Sequence, residues 1–243
     1  MRAGALALFA ALVSGCGDSG QERVTIPLYV AGRDLSEPFA AAGDATVILE
    51  RAALAFGPLY LCAGATAGDL CDTARVEWLG TVVADTIDPN VQFAGELTGV
   101  SGAVRSWMYD LGISSQLTRG EPFVLDAARE LGDASLVLAG RAMVSGAEIP
   151  FSASIRVEQS DETELGVPIV RKSTSDTFGR ELTPQETGLT VRFDPSVWLR
   201  RVDFRAYAGE EHATIEPGTE AFRAVHNALV SAEPPSFEWG TPR

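Results

Sequence analysis

In the run LVLAGRAMVSGAEIPFSASIRV, residues 136–157, the apolar side chains of Ile149, Phe151, Ala153, Ile155 and Val157 alternate with Ser152, Ser154 and Arg156. A period of two places one face against a core and the other in water, which is the pattern of a half-buried β-strand. Leu136 to Val144 reads as a second strand. Ser145-Gly146-Ala147 between them is a short connection whose glycine can take up positive φ, so the two runs are expected to form a hairpin.

The same period recurs elsewhere in the chain. Val24, Ile26, Leu28 and Val30 alternate with Thr25, Pro27 and Tyr29, and Leu189, Val191 and Phe193 alternate with Thr190 and Arg192. Further strands are expected at Thr46 to Phe56, Arg75 to Ala84, Val91 to Leu97, Val104 to Tyr109, Val167 to Arg171 and Ser236 to Trp239. About ten short strands punctuated by glycine and proline predict a mainly β fold, an antiparallel β-sandwich or open barrel. One or two short helices are expected near the C-terminus. Asp194-Pro195 offers a cap and a first-turn proline for a helix running through Trp198 to about Val202. Thr219 can cap a second, which would present Phe222, Val225 and Leu229 on one face. Glu158 to Glu164 and Thr177 to Thr187 read as exposed loops.

The N-terminus sets the expected address. Met1 and Arg2 precede an apolar, uncharged run from Ala3 to Val13, much shorter than the ~20 residues a membrane-spanning helix needs. Export is therefore expected, with residues 1–15 as a signal peptide. Val13-Ser14-Gly15-Cys16 resembles the lipobox of bacterial lipoproteins, with an aliphatic residue, two small residues and then the cysteine. The resemblance implies that Cys16 is lipidated and anchors the chain, each buried CH₂ of its acyl chains contributing about 0.8 kcal/mol. An ordinary secretory signal shares the small residues and is the rival reading. Gly17, rather than an acidic residue, follows the cysteine, so the outer membrane is the expected destination. Residues 16–22 are expected to be the lipidated N-terminus and a short linker, Gly17 to Glu22, which spans at most ~20 Å when extended, and residues 23–243 are expected to make one β-rich domain.

The formal net charge is -14, and Lys172 is the only lysine. So acidic a surface repels phosphate backbones and excludes nucleic acid as an expected partner. Contact with the membrane is then expected through the lipid alone, with an envelope protein as a further candidate partner. With Cys16 committed to lipid, Cys62 and Cys71 remain as an even pair in an oxidising compartment and are expected to form a disulfide, contributing about 2 to 3 kcal/mol. A metal or redox pair is the alternative, although the spacing is not CxxC and no histidine is nearby.

No catalytic signature emerges. The only histidines are His212 and His226, in no recognisable motif. Gly99-Val100-Ser101-Gly102 lacks the GxSxG spacing and reads as a turn. Two histidines fourteen positions apart cannot fill a zinc site unaided. Asp69, Asp72, Asp85, Asp88 and the Asp161-Glu162-Glu164 run supply hard oxygen ligands but match no calcium loop. Neither an enzyme nor a metal or cofactor protein is therefore expected. Of the aromatics, Trp107 and Tyr109 fall on one strand face and Met108 on the other; core packing of these residues, with Trp78, Trp198 and Trp239, competes with a binding groove.

A looser likeness lies at the C-terminal end. Leu189-Thr190-Val191-Arg192-Phe193-Asp194-Pro195-Ser196-Val197-Trp198, then Ala221 to Asn227, then Phe237-Glu238-Trp239, resembles the layout that closes MbnP-type envelope proteins. That resemblance implies an association with copper, yet neither histidine nor any particular tryptophan aligns with the family's copper chemistry. The leading expectation is a membrane-anchored, non-enzymatic binding or scaffolding module of the bacterial envelope, with an MbnP-like copper-associated protein as the alternative.

Overall fold

The computed structural model describes residues 20–64, 74–114, 123–157, 171–172, 179–232 and 234–242. The hairpin forms over Leu136–Val144 and Ala147–Ile155, in register from Leu136 opposite Ile155 to Val144 opposite Ala147. Its connection is two residues rather than three, so Ala147 belongs to the second strand. Ser145 and Gly146 both adopt positive φ, +50° and +85°, as a type I′ turn demands; the twist of that turn matches the right-handed twist of the strands it joins. Every second residue of Leu136–Val144 is buried.

This hairpin is the middle of a six-stranded sheet. Thr46–Phe56 flanks it antiparallel, with a bulge opposite Ala139 and Gly140. Phe39–Ala40 and Val82–Asp85 pair with opposite halves of Thr46–Phe56. Ala213–Ile215 closes the far edge, parallel to Ala147–Ile155.

The second sheet has eight strands in the order Arg171–Lys172, Ser106–Tyr109, Leu59–Cys62, Ala74–Trp78, Gln92–Val100, Arg23–Ala31, Leu189–Arg192 and Ser236–Trp239. All neighbours are antiparallel except Arg23–Ala31 with Leu189–Arg192. The mainly β class thus stands, with mixed sheets. Parallel pairing needs a long return path, and both parallel pairs join strands remote in sequence. The eight-stranded sheet curls strongly. Trp107, in its second strand, meets Phe237, in its last, at a ring-centroid distance of 4.9 Å. Phe56 of the six-stranded sheet packs into that concavity against Phe193, Tyr109 and Trp78, at 5.3, 5.4 and 6.1 Å. The main core lies between the two sheets, with Ile26, Leu28, Leu54, Leu138 and Val191 all closed to solvent, and two small clusters lie outside it.

Two expected strands divide. Arg75 to Ala84 breaks after Trp78 into Ala74–Trp78 and Val82–Asp85, which serve different sheets; the intervening Leu79 is exposed. Val104 to Tyr109 breaks at Arg105, and the preceding Gly102–Val104 pairs with Arg180–Leu182. The stretch Thr177 to Thr187 is therefore not wholly loop, and Leu182 enters the core. Of Val167 to Arg171 only the last residue is described.

Both expected helices form. Thr219 Oγ1 accepts from the Phe222 amide at 3.1 Å, capping Glu220–Asn227, and Val225 and Leu229 face the core. Asp194 Oδ1 accepts from the Ser196 amide at 3.0 Å at the start of Ser196–Leu199, whose four residues are buried. A third helix, Asp126–Glu130, is too short to show a helical period in sequence. No helix among the described residues is long and apolar enough to cross a membrane.

Candidate binding groove

The alternation that points Leu28, Val30, Leu189 and Val191 into the core points their neighbours to the other face, where Thr190 is still covered, at 3% exposure. Tyr29 stands opposite both Phe93 and Thr190, and Thr190 stands opposite Glu238. Phe93, Tyr29, Thr190 and Glu238 therefore form one cross-strand row on the outer face of the eight-stranded sheet, and Arg192 begins the next. Val91 forms one wall of a groove over the Thr190, Arg192 and Glu238 end of this surface, and the closing segment Gly240 to Pro242 forms another; its volume is about 560 Å³. The closing segment is held where the Gly240 amide donates to the Gly188 carbonyl at 3.0 Å. A side chain at position 188 would put its Cβ 2.8 Å from the Gly240 carbonyl oxygen, so this crossing requires glycine.

Arg192 is the fixed polar feature of the groove. Its Nε and Nη2 donate to the two carboxylate oxygens of Glu238 at 3.0 and 3.4 Å, and its Nη1 donates to the carbonyls of Gly32 and Pro89 at 2.9 and 3.2 Å. The fork shape of guanidinium suits this arrangement, in which backbone carbonyls set the plane and the carboxylate neutralises the charge. Outside the groove lining, two strands away, Phe93 is 58% exposed, its ring edge-on to Tyr29 at 5.6 Å. The outward alternation of Thr190 and Arg192 is visible in sequence. The meeting of Arg192 with Glu238, 46 positions later, is a product of strand order alone.

A second cavity lies inside, lined by Tyr109, Phe193, Asp194, Trp198, Leu229 and Pro235, among others, and has a volume of only about 30 Å³. That is room for one water. Burial pushes the Tyr109 phenol well above its ordinary pKa, so it stays protonated at neutral pH. Asp194 at the rim is committed to the helix start and to Arg33, to which it is hydrogen-bonded.

The aromatics singled out in sequence are mainly core. Trp107 and Tyr109 stack at 5.4 Å on the inner face, while Met108 points the other way into a cluster with Tyr60 and Cys62. Burial, then the charges of Asp110 and Glu77, raise the Tyr60 phenol pKa. Trp78 and Trp198 are also buried. Trp239 is half-buried, contributes to the lining of the groove, and lies with its ring beneath the Arg180 guanidinium at 4.7 Å. Cys62 is disulfide-bonded; Cys16 and Cys71 both lie outside the described residues.

The remaining candidates are dispersed. Asp85 and Asp88 accept from the amides two residues on, at Ile87 and Asn90, as acids of tight turns do. Asp69, Asp72, Asp161, Glu162 and Glu164 lie outside the described residues. Ser101 sits in a turn, where its amide and hydroxyl bond the backbone of Glu22. His226 stacks on Phe222. His212 Nε2 lies 2.8 Å from Ser152 Oγ on an exposed sheet face; among the described residues no carboxylate hydrogen-bonds this histidine to orient it. Also among the described residues, no three His, Cys, Asp or Glu side chains are grouped to hold a metal ion.

No family model matches the chain, and no curated protein matches it. Among solved structures, MbnP from Methylosinus trichosporium is a distant neighbour, with a TM-score of 0.41 and 9% identity over 91% of this chain and 99% of that one.

Proposed function

We propose that this chain is a lipid-anchored, non-enzymatic binding module of the bacterial envelope, tethered through Cys16 and recognising its target in the groove over Thr190, Arg192 and Glu238. The observation that carries the binding role is the groove itself. It is large enough for a small ligand and rests on rigid strands, with its polar group already fixed in place. The lipobox-like stretch Val13 to Cys16 supports the anchor, and the short linker keeps the body close to its membrane, by this reading the outer one. The pairing of Cys62 with Cys71 belongs to the same oxidising address. Catalysis at Ser152 and His212 is disfavoured because among the described residues no acid orients the pair, and a nucleophile needs its base held.

Membrane fractionation with mass analysis of the mature N-terminus tests the anchor. Cys16→Ser is expected to leave the membrane fraction, and a mature terminus beyond Cys16 would sink the idea. Crosslinking in intact envelopes tests the binding role: a probe at Ser236, beside the groove, is expected to capture a target that a probe at Ser154, on the other sheet, does not. Copper association of the MbnP kind is the alternative, supported by the C-terminal sequence resemblance alone. Absence of copper uptake together with unmodified tryptophan masses would dispose of it.

A further inference from the structure

The groove also specifies the chemistry of what it binds, an inference that rests on the binding-module reading above. The row Phe93, Tyr29, Thr190, Glu238 crosses four strands, a span of about 14 Å at ~4.8 Å per strand. Its two halves differ. The first is aromatic and exposed through Phe93; the second is the Arg192 and Glu238 pair.

That pair is close to neutral, since each oxygen of Glu238 receives a guanidinium N–H. A charged ligand therefore gains little net attraction there, and the chain's net charge of -14 further disfavours an anion. Among the described residues, four of the five Arg192 N–H groups are engaged, leaving one on Nη2, while the half-exposed carboxylate retains lone pairs that no other described residue fills. The site thus presents one donor and adjacent acceptors in a fixed plane, with the exposed Phe93 at the other end of the row. Vicinal hydroxyls on a pyranose match that pattern: one donates to Glu238 and its neighbour accepts from Arg192, while the apolar C–H face of a ring further along the same oligosaccharide lies over Phe93, at the far end of the row and outside the groove lining. Because Arg192 is already held by two backbone carbonyls, little side-chain freedom is lost on binding. We propose that the groove binds a neutral oligosaccharide.

The test is calorimetric titration of the full chain, purified from membranes in a zwitterionic detergent, with cellotetraose, maltotetraose and chitotetraose. At least one is expected to bind saturably, and Glu238→Gln and Phe93→Ala are each expected to weaken it about tenfold. Both positions are solvent-facing, so an unchanged melting temperature separates lost recognition from lost folding. Oligogalacturonate and oligoglucosamine, as acidic and basic probes, are expected to bind no better than the neutral sugars. Failure of all three neutral sugars to saturate, equal affinity in both variants, or preference for a charged probe would overturn the proposal. A chain that remains membrane-bound and captures a target from Ser236, yet binds none of these sugars, loses this inference and keeps the module reading.

Discussion

His226 illustrates how a single residue carries a pH dependence without being a site. Its ring stacks on Phe222 at 6.1 Å in a half-buried position, and burial lowers its pKa below the ordinary value near 6.5, only partly offset by a hydrogen bond with Asn227. A histidine whose folded pKa is depressed binds fewer protons folded than unfolded, so its contribution to stability is complete above the unfolded value and is lost as pH falls below it. The melting temperature is expected to fall on acidification from pH 7 towards pH 5, and His226→Gln is expected to flatten that slope. An unchanged slope in the variant would assign the acid sensitivity elsewhere. Trp239 offers a second residue-scale test. Trp78, Trp107 and Trp198 are buried, so iodide should reach Trp239 first, and Trp239→Phe should remove most of the quenchable fluorescence.

At the scale of elements, the helix Glu220–Asn227 is held at its start by Thr219 and along its face by Val225. Thr219→Ala is expected to cost about 1 kcal/mol in urea denaturation, since the Phe222 amide loses its acceptor. Thr219→Ser keeps the acceptor and should restore most of that. This helix, its cap and the Leu136 to Ile155 hairpin were legible in sequence because each is governed by local rules: a cap, a period or a turn. Arg75 to Ala84 was not, because alternation reports burial of a face and is silent on which sheet supplies the cover. The strand Arg180–Leu182 escaped for a related reason: it is three residues long and defined only by its partner Gly102–Val104. The groove had the same difficulty in stronger form. Thr190 and Arg192 are visibly outward-facing, but Tyr29, Phe93 and Glu238 join them only through one parallel and two antiparallel pairings.

At the scale of the whole molecule, the tether and the sheet together fix an orientation. The linker from Gly17 to Glu22 reaches at most ~20 Å, and the chain enters the eight-stranded sheet at Arg23, which stands opposite Val100. Seven residues further along that strand, Val30 stands opposite Gln92, about 24 Å away at ~3.4 Å per residue. If Cys16 carries the lipid, the Arg23 end of the sheet faces the bilayer and the Gln92 end points away from it. Single spin labels placed through Arg23→Cys and Gln92→Cys, both solvent-facing positions, should therefore differ when the lipidated protein is reconstituted with nickel-chelating lipids: strong relaxation at position 23 and little at position 92. In Cys16→Ser the protein should stay in solution and both labels should respond equally weakly. Equal relaxation at both positions of the lipidated chain would mean that the sheet lies flat against the membrane, which would place the groove face in competition with the lipid surface for its ligand.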